Sequence, residues 1–221
     1  MRENNIYHNK VTKGSGKTMA MEHFKKFLNN YGEKYYTTYV HGLYEIGDYL
    51  CGIDDSQLSQ WIQSTKLHPH PYRRRNGNTF KNTDEVELPP YAQALQCFFY
   101  KHYDYPDQRY LPEERNRVTE LEQELATIAH AGRSTIASWK SGSRVPDKYK
   151  WWALGISVFE LNFWDVQPYL DMINCQVNMT CLDDVLLFYS ICSVKTMHEV
   201  YCLLEDYSCT DTMQCFKQPE A

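Results

Sequence analysis

Glycine and proline are scarce in this 221-residue chain, at 10 and 9. That argues against a β-rich or low-complexity architecture and for helices. No run approaches the roughly 18 apolar residues of a membrane-spanning helix. Met1 to Met19 is polar and basic, without the apolar core of a secretory leader. Among the eight cysteines, the six of the last third (Cys175, Cys181, Cys192, Cys202, Cys209 and Cys215) never come in the close C-x2–4-C pair of a structural zinc site. They read as reduced thiols that serve as small hydrophobes on helices. The expectation is a soluble cytoplasmic chain with no metal, no cofactor and no membrane partner.

What the chain does have is aromatic. Aromatics make up 14% of it, 18 of them tyrosine, which lets a polar chain (mean hydropathy -0.61) still build cores. The net charge of -5 hides an asymmetry. Residues 159–221 hold ten acids against only Lys195 and Lys217, a balance of -8, so residues 1–158 stand at +3. A mildly basic front with an acidic tail suits a chain whose front meets phosphate.

Residues 1–20 show no periodicity and read as a flexible tail. Helical spacing begins at Phe24, Phe27 and Leu28 and returns at Tyr35, Tyr39, Leu43, Ile46 and Leu50. Gly52 breaks that run. Asp54 to Ser64 is a further short helix, with Asp54 as its cap and Gln57 closing a capping box. The basic segment 66–82 surrounds Asn76-Gly77, a two-residue hairpin signal, so Tyr72 to Phe80 reads as a basic hairpin or loop. Helices resume at Tyr91–Phe99 and at Glu113–His130, and three more are expected near 165–174, 181–192 and 195–206. Thr180 and Ser193 are candidate caps there, and Asp183 and Asp184 suit a first turn. The fold class is therefore all-α, divided into an N-terminal helical domain at 21–110, a second at 111–162 and an acidic tail at 163–221.

The segment Leu125 to Pro146 carries a more specific pattern. Ala126 and Ala129 leave room for two helices to cross, while Ile136 and Trp139 pin the second helix to the first. Arg133, Ser134, Thr135 and Ser138 stay polar and small enough for a major groove. Arg133 suits a guanine edge, and Lys140, Ser143 and Arg144 suit phosphates. This pattern resembles the lambda-repressor/Cro-like (XRE-type) helix-turn-helix family, in which L-A-x-x-A-G-x-S-x-x-T-I-S-x-W-x-x-G-x-x-x-P recurs. Trp139, Gly142 and Pro146 fall in place; His130 stands where the family has its turn glycine and Gly132 where it has its capping serine. The family's first helix is not recognisable.

A weaker copy lies 78 residues upstream, at Gly52 to Trp61, within a helix-turn-helix unit at 46–64. Ser56 matches Ser134, Gln57 matches Thr135 and Leu58 matches Ile136. Gln57 and Gln60 suit adenine, and Arg73, Arg74 and Arg75 suit backbone or minor groove. Asp55, where the second copy has Arg133, is unfavourable to phosphate, and leaves open whether the first unit contacts DNA or protein. The chain is thus read as tandem helix-turn-helix units.

Three other signals are set aside. Gly14-Ser15-Gly16-Lys17-Thr18 has Val11 where a phosphate loop needs its first glycine and no strand before it. His68-Pro69-His70 lacks a third ligand. The carboxylate pairs Asp54-Asp55 and Asp183-Asp184 sit at helix starts, where capping accounts for them. Nothing requires catalysis. The expected function is sequence-selective binding of double-stranded DNA, as a bacterial or phage transcription regulator that is nucleoid-associated when bound. The alternatives are an accessory factor of a mobile element, or a protein-interaction adaptor with degenerate units. A homodimer through the apolar C-terminal helices is expected, because faces such as Leu182, Val185, Leu186, Phe188 and Leu204 need burial.

Overall fold

The computed structural model describes residues 13–32, 38–65, 67–68, 88–100 and 112–217. These residues are mostly helical, as the all-α expectation has it. Their one extended pairing is a parallel bridge between His68 and Cys181. The basic hairpin expected at Tyr72–Phe80, with Arg73, Arg74 and Arg75, lies outside the described residues, as do residues 1–12.

The first helix, α1 (Lys13–Gly32), begins inside the stretch read as a flexible tail, so Gly14 to Thr18 is helical and forms no phosphate loop. It is followed by α2 (Thr38–Cys51), α3 (Asp55–Ser64) and α4 (Pro90–Tyr100). Next comes α5 (Pro112–Ile128). Both α4 and α5 open on a proline, whose missing N–H is no loss in a first turn. Then come α6 (Arg133–Lys140), α7 (Lys148–Ser157), α8 (Val166–Asp171), α9 (Leu182–Cys192), α10 (Met197–Asp206) and α11 (Thr210–Met213).

One helix organises the rest. In α7 the residues Tyr149, Trp151, Trp152, Ala153, Leu154 and Gly155 are all buried, and only Lys150, Ile156 and Ser157 reach partly to the surface. Asp147 caps it, accepting from the Tyr149 and Lys150 amides at 3.1 and 3.3 Å. Around α7 an aromatic knot draws in distant parts of the chain. Phe24 of α1 stacks on Phe159 at 4.0 Å, Phe98 of α4 meets the same ring at 5.2 Å, and Trp151 stacks on Tyr169 of α8 at 4.7 Å. Each buried ring or aliphatic side chain stabilises by roughly 1.5–3 kcal/mol relative to exposure. The buried residues from Met21 to Phe216 form one continuous cluster. Residues on both sides of the boundaries expected at 110 and 162 belong to that cluster.

The tail departs from expectation in two ways. Every residue of α9 is buried, and Val200, Leu203 and Leu204 of α10 join it. Its apolar faces are covered by the same chain's helices, α2 and α7 among them, so they supply no ground for a tail-mediated dimer. The caps also differ. α10 is capped by Thr196, in a capping box with Glu199, and α9 starts at Cys181 with no side-chain cap. Ser193 instead ends α9, and the Thr180 hydroxyl donates to Asn178 Oδ1.

Asp183 and Asp184 are likewise more than first-turn charges. Asp184 is buried and takes an ion pair from Lys148, with further donation from the Tyr149 hydroxyl at 3.3 Å and the Asn178 amide at 2.6 Å. Asp183 is buried beside it and accepts from Thr212. Long-range partners, and not capping, account for this carboxylate pair.

Candidate nucleic-acid interface

α5 ends where a single residue takes the left-handed conformation. That residue is His130, at φ 44. The reversal is closed by the Ala131 amide, which donates to the Ala126 carbonyl at 2.9 Å, and by His130, which donates to Thr127 at 3.3 Å. Lys150 adds a third bond, its Nζ to the His130 carbonyl at 2.7 Å, and places a cation at the negative end of α5. The position where the resembled family has glycine thus keeps the backbone that glycine favours, although it is occupied by histidine.

Gly132 is the N-cap of α6, extended at φ -74 and ψ 149 and without a side-chain cap. The positive end of α6 is therefore open for an anion. Ile136 and Trp139 are buried, and pin α6 between α5 and α4. α4 is held from its own side: the Gln96 amide donates to the Lys140 carbonyl and the Tyr91 hydroxyl to the Gly142 carbonyl, each at 3.1 Å. The helix that supports α6 from before α5, which the sequence did not disclose, is α4.

After α6 the chain turns at Gly142, whose φ of 75 suits glycine. Space demands it too, since a Cβ there would lie 2.7 Å from Pro89 Cδ.

With Ile136 and Trp139 inward, the opposite side of α6 and its turn faces out. Arg133, Ser134, Ser143 and Arg144 are exposed, and Thr135 and Ser138 are half-buried. Two neighbours belong with them that sequence reasoning passed over, Ala137 and Ser141, although helical spacing from Ser134 and Ser138 pointed to both. The serines form a small hydroxyl array at the helix end. Ser141 and Ser143 each donate to the Ser138 carbonyl at 3.1 Å, and their hydroxyls lie 3.0 Å apart. Ser138 donates back to the Ser134 carbonyl at 2.8 Å.

Lys140 is engaged within the protein. Its ammonium pairs with Glu122 of α5 and stands 5.0 Å from the centre of the Phe99 ring, with the two charged side chains only 13% and 12% exposed. The charge read as a phosphate contact is used to tie α6 to α5 and α4.

The upstream copy is placed differently. The capping box is present as the sequence indicates: Asp54 accepts from the Gln57 amide at 2.8 Å, and the Gln57 side chain accepts from the Asp54 amide at 2.9 Å. That bond commits Gln57 Oε1 to the helix start and away from a base edge. The turn before α3 has no left-handed residue, and α3 has no packing on α2 comparable with that of α6 on α5. Its leading end is engaged by the tail instead. Asp55 accepts from the Tyr189 hydroxyl at 2.8 Å and pairs with Lys195 at 2.9 Å, and the Ser59 and Tyr207 hydroxyls lie 2.6 Å apart. Partial burial alone would raise the Asp55 carboxyl, but bonding to Lys195 and Tyr189 outweighs it and holds the group below its usual range. Ser56 and Gln60 remain exposed, on a helix whose first turn is held by protein. The structure brings Arg133, Ser134, Ser138, Ser143 and Arg144 to one surface region; Ser56 and Gln60 sit on the separate helix α3.

No family model matches this chain, and neither a curated protein nor a solved structure matches it.

Proposed function

We propose that the chain is a sequence-selective double-stranded DNA-binding protein that reads the major groove with α6. The observation that carries this reading is the build of the α5–α6 unit. A left-handed His130 sets the crossing, Ile136 and Trp139 are fully used inward, and an uncapped helix start presents Arg133 and Ser134 to solvent. A recognition helix needs that combination: a rigid seat, a polar outer face and a positive leading end. Arg133 suits bidentate donation to a guanine edge, and Ser134 and Ser138 suit bases or the nearer phosphates. Arg144 and the hydroxyls of Ser141 and Ser143 fit a backbone contact at the other end of the helix.

The reading uses one unit. α3 keeps the sequence likeness to α6, but its leading end is bound by Tyr189 and Lys195, so it serves as an internal packing copy. Of the tandem pair, only the second reads DNA. Regulation of transcription in a bacterium or phage is the role that fits a small, non-catalytic reader of this kind.

The test is duplex binding by the full chain at moderate salt, with genomic fragments as the starting pool. A small set of enriched sequences is expected, with binding lost in a variant carrying both Arg133→Ala and Arg144→Ala. Retention of the same fragments by the double variant removes α6 as the reader.

A further inference from the structure

Cys51 is the last residue of α2 and Cys192 the last of α9. The two helices pack on each other, and their C-terminal ends are brought together by a specific contact. Tyr189, one turn before Cys192, donates its hydroxyl to Asp55 and places that oxygen 3.3 Å from the Ile53 carbonyl, two residues beyond Cys51. At these adjoining helix ends the Cys51 side chain lies close enough to Cys192 to bear on its thiol. Both are free thiols, and they are unequal: Cys51 is exposed and Cys192 is buried. Burial pushes the Cys192 thiol well up, and the adjoining Cys51 and Asp48 push it the same way. Cys192 thus rests protonated behind a partner that faces water.

We propose that Cys51 and Cys192 form an oxidation site, a dithiol that a peroxide converts to an intramolecular disulfide joining α2 to α9. The exposed Cys51 thiolate attacks one peroxide oxygen, the O–O bond breaks and hydroxide leaves, so that Cys51 becomes the sulfenic acid. The Cys192 sulfur then attacks the Cys51 sulfur. The S–O bond breaks, and the departing hydroxide takes up the Cys192 proton and leaves as water. Two electrons pass from the dithiol to the peroxide, which ends as two waters. Cys51 is the sulfur oxidised first because thiol oxidation follows solvent access, and Cys192 is the resolving thiol because it adjoins Cys51 at the paired helix ends. The crosslink would fasten the start of α3, already held by Tyr189 and Lys195, to the end of α9.

The experiment treats the native full-length chain with a small excess of hydrogen peroxide, blocks remaining thiols with iodoacetamide and maps the digest without reduction. A single linked pair of peptides containing Cys51 and Cys192 is expected, two hydrogens lighter than its parts. Alkylatable thiols in the denatured chain should fall by two from eight, and dithiothreitol should restore them. In Cys51→Ser, whose substitution is on the surface, neither the link nor the loss should appear. An unchanged thiol count overturns the proposal. So does a link between other cysteines, or Cys51 ending as sulfinic acid with Cys192 still alkylatable.

Discussion

Lys148 and Asp184 form an ion pair in which each side chain is only 1% exposed, joining the first residue of α7 to the first turn of α9. Lys148 also donates to the Gln176 carbonyl at 2.9 Å, and Asp184 takes two further donors. Burial lifts the Asp184 carboxyl above its usual range, against the pull of Lys148, Asn178 and Tyr149. Removing one partner strands the other charge in the core, at a cost of about 3–5 kcal/mol. Lys148→Met and Asp184→Asn should each lower stability to urea by that order, and the double variant by clearly less than the two losses added. Strict additivity would show that the pair is not coupled.

Five non-glycine residues carry left-handed backbone among the described residues, His130 and Val194 among them closing helix ends where glycine is usual. His130 has φ 44 and Val194 has φ 53, and Val194 is both β-branched and 86% exposed. The Lys195 amide donates to Ser190 at 2.8 Å and closes the end of α9 around Val194, which is where glycine usually stands. Val194→Gly should stabilise by about 1 kcal/mol, and His130→Gly by less, because histidine tolerates this region better than valine does. Gly142→Ala should go the other way, losing about 1–3 kcal/mol from backbone strain and the approach to Pro89. Thermal unfolding of the three variants tests the ranking, and a Val194→Gly chain no more stable than the parent defeats it.

Burial pushes the Asp171 carboxyl up to about 6, although the Gln167 amide donates to it at 2.8 Å. A folded value above the unfolded one means that the folded chain holds the proton more tightly. The resulting stability is fully present below the ordinary carboxylate value and is lost as pH rises through about 6. Asp171→Asn cannot ionise, so it should match the parent near pH 3.5 and exceed it at pH 7. The melting temperatures of both chains between those limits provide the check, and a gap that does not change with pH counts against it.

How much of this was legible depends on the range of the interaction. The Asp54–Gln57 box, the stripe of α5 and the inward pair Ile136 and Trp139 are written within one or two helical turns, and local spacing reveals them. Thr196 with Glu199 was equally local, but Ser193 three residues earlier competed for the same role. The partners of Lys140, Asp55 and Lys148 lie 18, 140 and 36 residues away. Nothing in their neighbourhoods says that a distant partner will claim these charges. The tail shows the same limit. Its apolar faces demanded cover, and sequence alone does not tell one's own helices from a second copy.

On the proposed DNA-binding reading, the outer face of α6 separates contacts that position from contacts that specify. Arg144 sits in the exposed turn beyond the serine array and suits a phosphate, whereas Arg133 leads the helix where base edges are reached. Arg144→Ala should therefore weaken binding to all duplexes alike and reduce the slope of log affinity against log salt by about 0.9, one phosphate contact. Arg133→Ala should instead cost about 1–3 kcal/mol on the preferred sequence and much less on others, so the preference narrows. Lys140→Ala serves as the control. Its ammonium is bound to Glu122 over Phe99, so the variant should lose thermal stability while its salt slope stays that of the parent. Titrations at several salt concentrations, on preferred and scrambled duplexes, read all three. If Lys140→Ala flattens the salt dependence as Arg144→Ala does, the lysine reaches DNA after all and the α5–α6 tie must open on binding.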